Sequence, residues 1–517
     1  MTPSPTRDLG GPKLPAPQTT TTEVTSLSAR ELARRIRARE LTSRAVVEAH
    51  IARIERLDAR VNAVVTRNFE DARRSADAVD RMLANRGATE VLPPLFGVPL
   101  TVKDSYATAG LRTTFAMPRM LDHTPSADAE LVRRVKAAGA IILGKTNVPL
   151  GAFDWQCKHP SFGRTNNPWD LGRTPGGSSG GSAAALAAGF TPLELGSDVA
   201  GSIRVPAHFC GVVGLRPTEG ALSGDGHAKI PGYADTVKSL VVCGPMARSA
   251  GDVRLLHEVL WDPELAARGG APRASRRPPE ATKPRSLRIG WSTSWGQQPI
   301  DLATRHAISS TLEELRRAGH DVREASPSAL DPEEATAIWG LILGHEMIGA
   351  PSWIVRSAPM RLLYAMNPLR MVFGRGSFAR SLSAGFASSR ATYERALARR
   401  VELIDTMDAF LSGMDAWLTP ATSTAAFTHR TIGSDLVVDG ESLSYADANA
   451  PWQVPSATYA HPCVSLPAGT SPEGLPIGVQ LHARRWSDFA LLDAAAVIEA
   501  LVDRPSGLVA TLSAEAA

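Results

Sequence analysis

Apolar residues recur at helical spacing from Leu32 onward. Leu32 and Ile36 share one face, and Ser28-Ala-Arg-Glu31 before them is a capping box, so order is expected to begin near Ser28. A second helix is predicted after Thr42, with Val46, Val47, His50, Ile51, Ile54 and Leu57 along one side. His50 lies among apolar positions and reads as a packed core histidine. The period then changes. LFGVPLTVKD (95–104) and GAIILGKTN (139–147) are short apolar runs ending in polar turns, with the helical segment DAELVRRVKAAG between them. This alternation predicts an α/β protein whose strand ends carry polar groups.

Further along, Leu287-Arg-Ile-Gly-Trp291 reads as a strand and residues 333–413 as mostly helix. Within that helical part, PSWIVRSAPMRLLYAMNPLRMVFGRG is both basic and apolar, the composition of a membrane-surface helix. Pro359 and Pro368 interrupt it, which favours a substrate-lining helical region instead. Residues 262–286 are rich in Pro, Gly and Arg and read as an exposed linker or loop. Residues 1–25 are Pro/Thr-rich and lack an apolar signal core, so they are expected to form a disordered tail. No internal repeat occurs.

Composition narrows the function. Of 517 residues, 43% are hydrophobic and 21% charged, ordinary for a globular protein with a large core. A formal charge of +4 over this length argues against a nucleic-acid partner. No run of about 18 apolar residues would span a bilayer. Cys157, Cys210, Cys243 and Cys463 form no C-x-x-C pair, so small core residues in a reducing, cytoplasmic setting are expected. His208, His227, His345 and His461 are scattered without metal-ligand spacing, and no metal or cofactor is expected. Trp155, Trp339, Trp353 and Trp452 could line an apolar pocket, with packing the default for each.

Residues 173–190, RTPGGSSGGSAAALAAGF, demand a chemical explanation. A phosphate-binding loop requires lysine after its last glycine, and Ser182 stands there. Two overlapping G-x-S-x-G matches resemble a nucleophile elbow, but NNPWDLGRTPGG before them is no strand. A flexible linker fits poorly, because the run joins directly to a good helix former between apolar segments. A rigid turn with two hydroxyls at a helix start could relay protons. A serine nucleophile needs a base, and a lysine deprived of its charge by burial can serve.

The ordered series GVPLTVKD, GKTNVPLGAF, TPGGSSGGSAAALAAG and LGSDVAGSIRVPAHFCGVVGLRPT resembles the amidase signature family. DAWLTPA (415–421) and GLPIGVQLHARRWSDFALLDAA (474–495) resemble its C-terminal elements. TNVPLGAFDWQCKHPSFGRTNNPW is similar to the corresponding part of fatty-acid amide hydrolases. The resemblance implies one amidase domain over residues 26–517, with 262–286 a loop inside it. It implies a large, mixed, mostly parallel twisted sheet wrapped by helices, and a Ser–cis-Ser–Lys triad.

Residue by residue, Ser202 matches the nucleophile, Ser178 the bridging serine and Lys103 the base. The backbone N–H groups of Val199, Ala200, Gly201 and Ser202 match the oxyanion hole. Ser179, Asp198 and Arg204 match supporting residues, and Ala152 and Phe153 line the acyl site. Two positions depart from the commoner Gly-Thr-Asp-x-Gly-Gly-Ser loop, Ser197 and Ala200. Serine keeps the hydroxyl, whereas alanine would cost about 1 kcal/mol if its position required positive φ.

The expected activity is hydrolysis of carboxylic amides to acid and amine or ammonia through an acyl-enzyme. The expected partner is a small-molecule amide, and a homodimer is compatible with the resemblance. Three rivals share the scaffold: a glutamine-hydrolysing component of a tRNA-dependent amidotransferase, a non-catalytic binding protein, and a carbamate, ester or oligoamide hydrolase.

Overall fold

A computed structural model describes residues 21–85, 91–229, 239–272, 286–347 and 376–505, together with 237 and 275. Ser28 and Thr42 cap the first helices of the expected pattern. Ser28 Oγ accepts from Glu31 N at 3.1 Å to open α1 (Ala29–Arg37), and Thr42 Oγ1 accepts from Ala45 N at 3.0 Å to open α2 (Ser43–Val61). His50 is fully buried in α2, with Nδ1 2.8 Å from Val46 O. A short helix, Thr21–Ser26, precedes Ser28 and buries Val24 and Thr25, so ordered structure starts upstream of the capping box. Residues 1–20 lie outside the described residues.

Eleven strands form one sheet. They are β1 (Val64–Arg67), β2 (Pro99–Lys103), β3 (Ile141–Thr146), β4 (Leu193–Asp198), β5 (Val213–Arg216) and β6 (Val242–Ala247). They continue as β7 (Arg288–Trp291), β8 (Asp321–Glu324), β9 (Ala416–Pro420), β10 (Cys463–Thr470) and β11 (Pro476–His482). Their spatial order is β1-β3-β2-β4-β6-β5-β10-β11-β9-β7-β8. The sheet is mixed. Parallel pairing runs through β3–β2–β4 and β9–β7–β8, while the centre and the β1 edge are antiparallel. The parallel register Val102↔Leu195 sets the carboxyl ends of β2 and β4 side by side, bringing Lys103 next to Ser197 and Asp198. Ligand crevices form at such strand ends.

Helices cover both faces of the sheet. Two of them, α3 (Gly180–Ala187) and α4 (Arg204–Cys210), follow the chemically suggestive loops and are buried throughout. The predicted helical region contains α5 (Pro332–Met347), α6 (Ser377–Ala387) and α7 (Arg390–Leu411); its basic apolar stretch, 351–376, lies outside the described residues except for Gly376. Helix α8 (Tyr445–Thr458) is buried along nearly its whole length. The expected 262–286 loop starts with a helix at Pro263–Arg268, capped by Asp262, and most of its remainder lies outside the described residues.

Candidate active site

Lys103 ends β2 and is fully buried. Its Nζ donates to Ser178 Oγ at 2.8 Å, to Ser197 Oγ at 3.0 Å and to Ser197 O at 3.3 Å. All three acceptors are neutral, and among the described residues no carboxylate pairs with Nζ. Burial disfavours the ammonium and, although Asp198 and other nearby acids oppose it, lowers the lysine pKa to about 7.

The Gly/Ser run enters this site as a loop with no preceding strand, and α3 begins immediately after it at Gly180. The Gly177–Ser178 peptide is cis. Gly177 packs where no side chain fits: a Cβ there would lie 2.4 Å from Asp154 O and 2.5 Å from Gln156 O. Ser179 N donates to Ser202 O at 3.0 Å, tying the run to the loop after β4. Ser179 Oγ donates to Ser197 O at 3.4 Å. The structure thus brings Lys103, Ser178, Ser179, Ser197 and Ser202 together. Among the described residues Ser202 Oγ makes no hydrogen bond, and Ser202 keeps 7% of its surface exposed, on the wall of a pocket.

The loop bearing Ser202 is clasped by Asp198. Its Oδ1 accepts from Gly201 N at 2.8 Å and its Oδ2 from Ile203 N at 3.0 Å. Arg204 binds the same carboxylate bidentately, Nη2 to Oδ1 at 2.9 Å and Nε to Oδ2 at 3.0 Å. Burial alone would raise this carboxyl's pKa, but Arg204, helped by Arg216 at 4.0 Å, holds it well below the usual carboxylate range. The Gly201 N–H is therefore engaged by the Asp198 carboxylate. The N–H groups of Val199, Ala200 and Ser202 meet no acceptor among the described residues. Ala200 does not take positive φ; Gly201 does, at 93°, so the alanine causes no strain there.

The pocket beside Ser202 is lined by Ala152, Phe153, Asp154, Trp155, Trp339 and Phe378, with Val199 and Ala200. Ala152 and Phe153 thus share a pocket wall with Ser202. Asp154, on the same wall, accepts from Tyr445 Oη at 2.8 Å, and burial raises its pKa to about 6. Of the tryptophans, Trp155 and Trp339 face this pocket, Trp452 is buried with Nε1 donating to Ser423 Oγ at 3.1 Å, and Trp353 lies outside the described residues. His208 and His461 are buried and His227 is partly buried; His208 accepts from Gly478 N at 2.6 Å and His461 pairs with His482 at 2.9 Å.

Sequence reading missed three groups of residues. Ser197 is a direct partner of Lys103, not merely a conservative replacement. Arg216 approaches Asp198 from β5, and Gln453, Ser456 and Gln480 anchor Arg204 from α8 and β11. Only a buried-polar signal on otherwise apolar strands, such as Arg216 in GVVGLRPT, could have hinted at them.

The Amidase family model matches residues 45–492. An acylamidase of Rhodococcus erythropolis is 31% identical over 485 residues, covering 92% of this chain and 95% of that protein. A glutamyl-tRNA(Gln) amidotransferase component of Prochlorococcus marinus (strain MIT 9303) is 34% identical over 480 residues, 88% of this chain and 93% of its own. Among solved structures, 6-aminohexanoate cyclic dimer hydrolase complexed with substrate matches with a TM-score of 0.75 and 27% identity, over 94% of this chain and 99% of that one. A fatty acid amide hydrolase, at 20% identity and TM-score 0.72 over 94% of this chain and 86% of its own, shares the fold. Fold and relatives together define a class of hydrolases acting on amides. The chain belongs to the Amidase family, the amidase signature enzymes.

Proposed function

We propose that this chain hydrolyses carboxylic amides of small molecules through an acyl-enzyme on Ser202. The observation that carries the reading is the buried Lys103 amine, 2.8 Å from Ser178 Oγ and surrounded by neutral oxygens. A lysine with a pKa of about 7 is half neutral at neutral pH and can take a proton. Ser202 Oγ attacks the amide carbon and passes its proton to Ser178 Oγ, which gives its own to Lys103 Nζ. The carbonyl oxygen becomes an oxyanion facing the N–H groups of Val199, Ala200 and Ser202; each such donor is worth about 10²–10³ in rate. As the C–N bond breaks, the proton returns through Ser178 to the departing nitrogen, and the amine leaves neutral. Water then cleaves the acyl ester by the same relay. Hydrogen bonds of this kind often close only with substrate bound, which accommodates the unengaged Ser202 hydroxyl. Ser179, Asp198 and Arg204 hold the loops, and Ala152 and Phe153 contact the acyl group. Four buried free thiols fit a reducing, cytoplasmic setting.

A fluorophosphonate probe tests the nucleophile: labelled folded protein should carry the adduct on Ser202, and the Ser202→Ala chain should carry none. Absence of label on Ser202 in active protein overturns the assignment. A panel of short aliphatic, aromatic and long-chain amides, with one ester and one carbamate, reads the substrate class.

The 34% identity to a tRNA-dependent amidotransferase component favours a second reading, in which the chain hydrolyses glutamine within a larger assembly. Glutaminase activity that appears only with a co-purifying partner would select it, whereas turnover of simple amides by the isolated chain selects the first.

A further inference from the structure

The nucleophile loop is held from behind by two indoles. Trp339 Nε1, on α5, donates to Val199 O at 2.9 Å, and Trp155 Nε1 donates to Ala200 O at 2.8 Å. A peptide unit is planar and trans, so its C=O and the following N–H point in opposite directions. Fixing Val199 O therefore aims the Ala200 N–H. Fixing Ala200 O, with Asp198 Oδ1 holding the Gly201 N–H at 2.8 Å, clamps the next unit at both ends. Both indoles are buried, and both wall the pocket that contains Ser202. Phe378 of α6 packs against the two, its ring centroid 4.9 Å from Trp155 and 5.0 Å from Trp339. The rings an acyl group would touch are thus the rings that orient the loop.

We propose that Trp155 and Trp339 are positioning residues for the oxyanion donors, and that through them the fit of the acyl group is expressed in turnover more than in affinity. The proposal rests on the hydrolase reading above. An acyl group that fits leaves the indoles in place and the Ala200 N–H aimed at the developing oxyanion. A group that displaces Trp339 or Phe378 rotates the Val199–Ala200 peptide. Hydrogen bonds weaken steeply once the donor angle falls below about 120°. The loss is felt where negative charge has built up, in the transition state, and little in the ground state.

The test replaces each tryptophan in the full chain with 3-benzothienylalanine, which keeps the bicyclic shape and lacks the N–H. Kinetics are measured on the amide turned over best by the unmodified chain. Affinities are measured for a trifluoromethyl ketone of the same acyl group, which forms a tetrahedral adduct, and for the carboxylic acid released. Each replacement should lower kcat about fivefold, the effect of losing one ordinary hydrogen bond, and weaken the ketone by the same factor. KM and affinity for the acid should stay unchanged. Trp339→Phe, which also removes packing, should lose more than the isostere. Unchanged kcat in both isosteres, or equal weakening of ketone and acid, overturns the proposal. Absence of amide turnover in the unmodified chain overturns instead the hydrolase reading beneath it.

Discussion

Lys103 has three neutral acceptors around its amine and a pKa brought down to about 7 by burial. A base works only when unprotonated, so kcat/KM should rise about tenfold per pH unit below 7 and level off above it. A pH–rate profile checks this; a flat profile from pH 5 to 8 would contradict it. Lys103→Ala should remove that limb and lower the rate by about 10²–10⁴, the usual contribution of a positioned acid–base group. Ser178→Ala should also impair turnover, because among the described residues Ser178 is the one side-chain hydroxyl besides Ser197 that the lysine reaches. Single-turnover kinetics distinguish its role: acylation should slow, while the fluorophosphonate adduct still maps to Ser202. Lys103, Ser178 and Ser202 were legible in the sequence because their motifs are contiguous and ordered. The commitment of the Gly201 N–H to Asp198 was not, since it depends on how one loop folds back on its own carboxylate.

The helices α5 and α6 bring Trp339 and Phe378 to the pocket, and glycines allow their close approach. A Cβ at Gly340 would lie 2.4 Å from Ser381, and one at Gly385 would press on the Gly340 carbonyl. Gly340→Ala should therefore destabilise the protein by about 1–3 kcal/mol, the usual range for overpacking, as read from its urea midpoint. It should also lower turnover of the best amide, because the separated helices carry two walls of the pocket. An unchanged midpoint would mean the helices slide apart freely. The existence of these elements follows from apolar periodicity, and the caps at Ser28 and Thr42 act as their local spacing predicts. Which face of α5 meets α6 was not legible, because α5 is apolar nearly all round and periodicity then selects no side.

Across the whole molecule, Arg204 joins parts of the chain more than 200 residues apart. It ties Asp198 at the end of β4 to Gln453 O and Ser456 of α8 and to Gln480 of β11. Arg204→Ala would strand the Asp198 carboxylate in the interior with only the more distant Arg216 to balance it. A loss of about 3–5 kcal/mol is expected, typical of breaking one side of a buried ion pair. Urea unfolding measures it, and a cost below about 1 kcal/mol would show that Asp198 regains water or a proton instead. The sequence by itself determined the α/β alternation, the chemically distinctive loops and the family, because these reside in contiguous patterns of apolarity, glycine and hydroxyl groups. The tertiary structure alone decided which groups are partners. The mixed order of the sheet sets β2 beside β4, burial lowers the Lys103 pKa to about 7, and two indoles from distant segments hold carbonyls of the loop after β4. Such effects arise from desolvation and from contacts between residues far apart in the chain, and no local pattern encodes either.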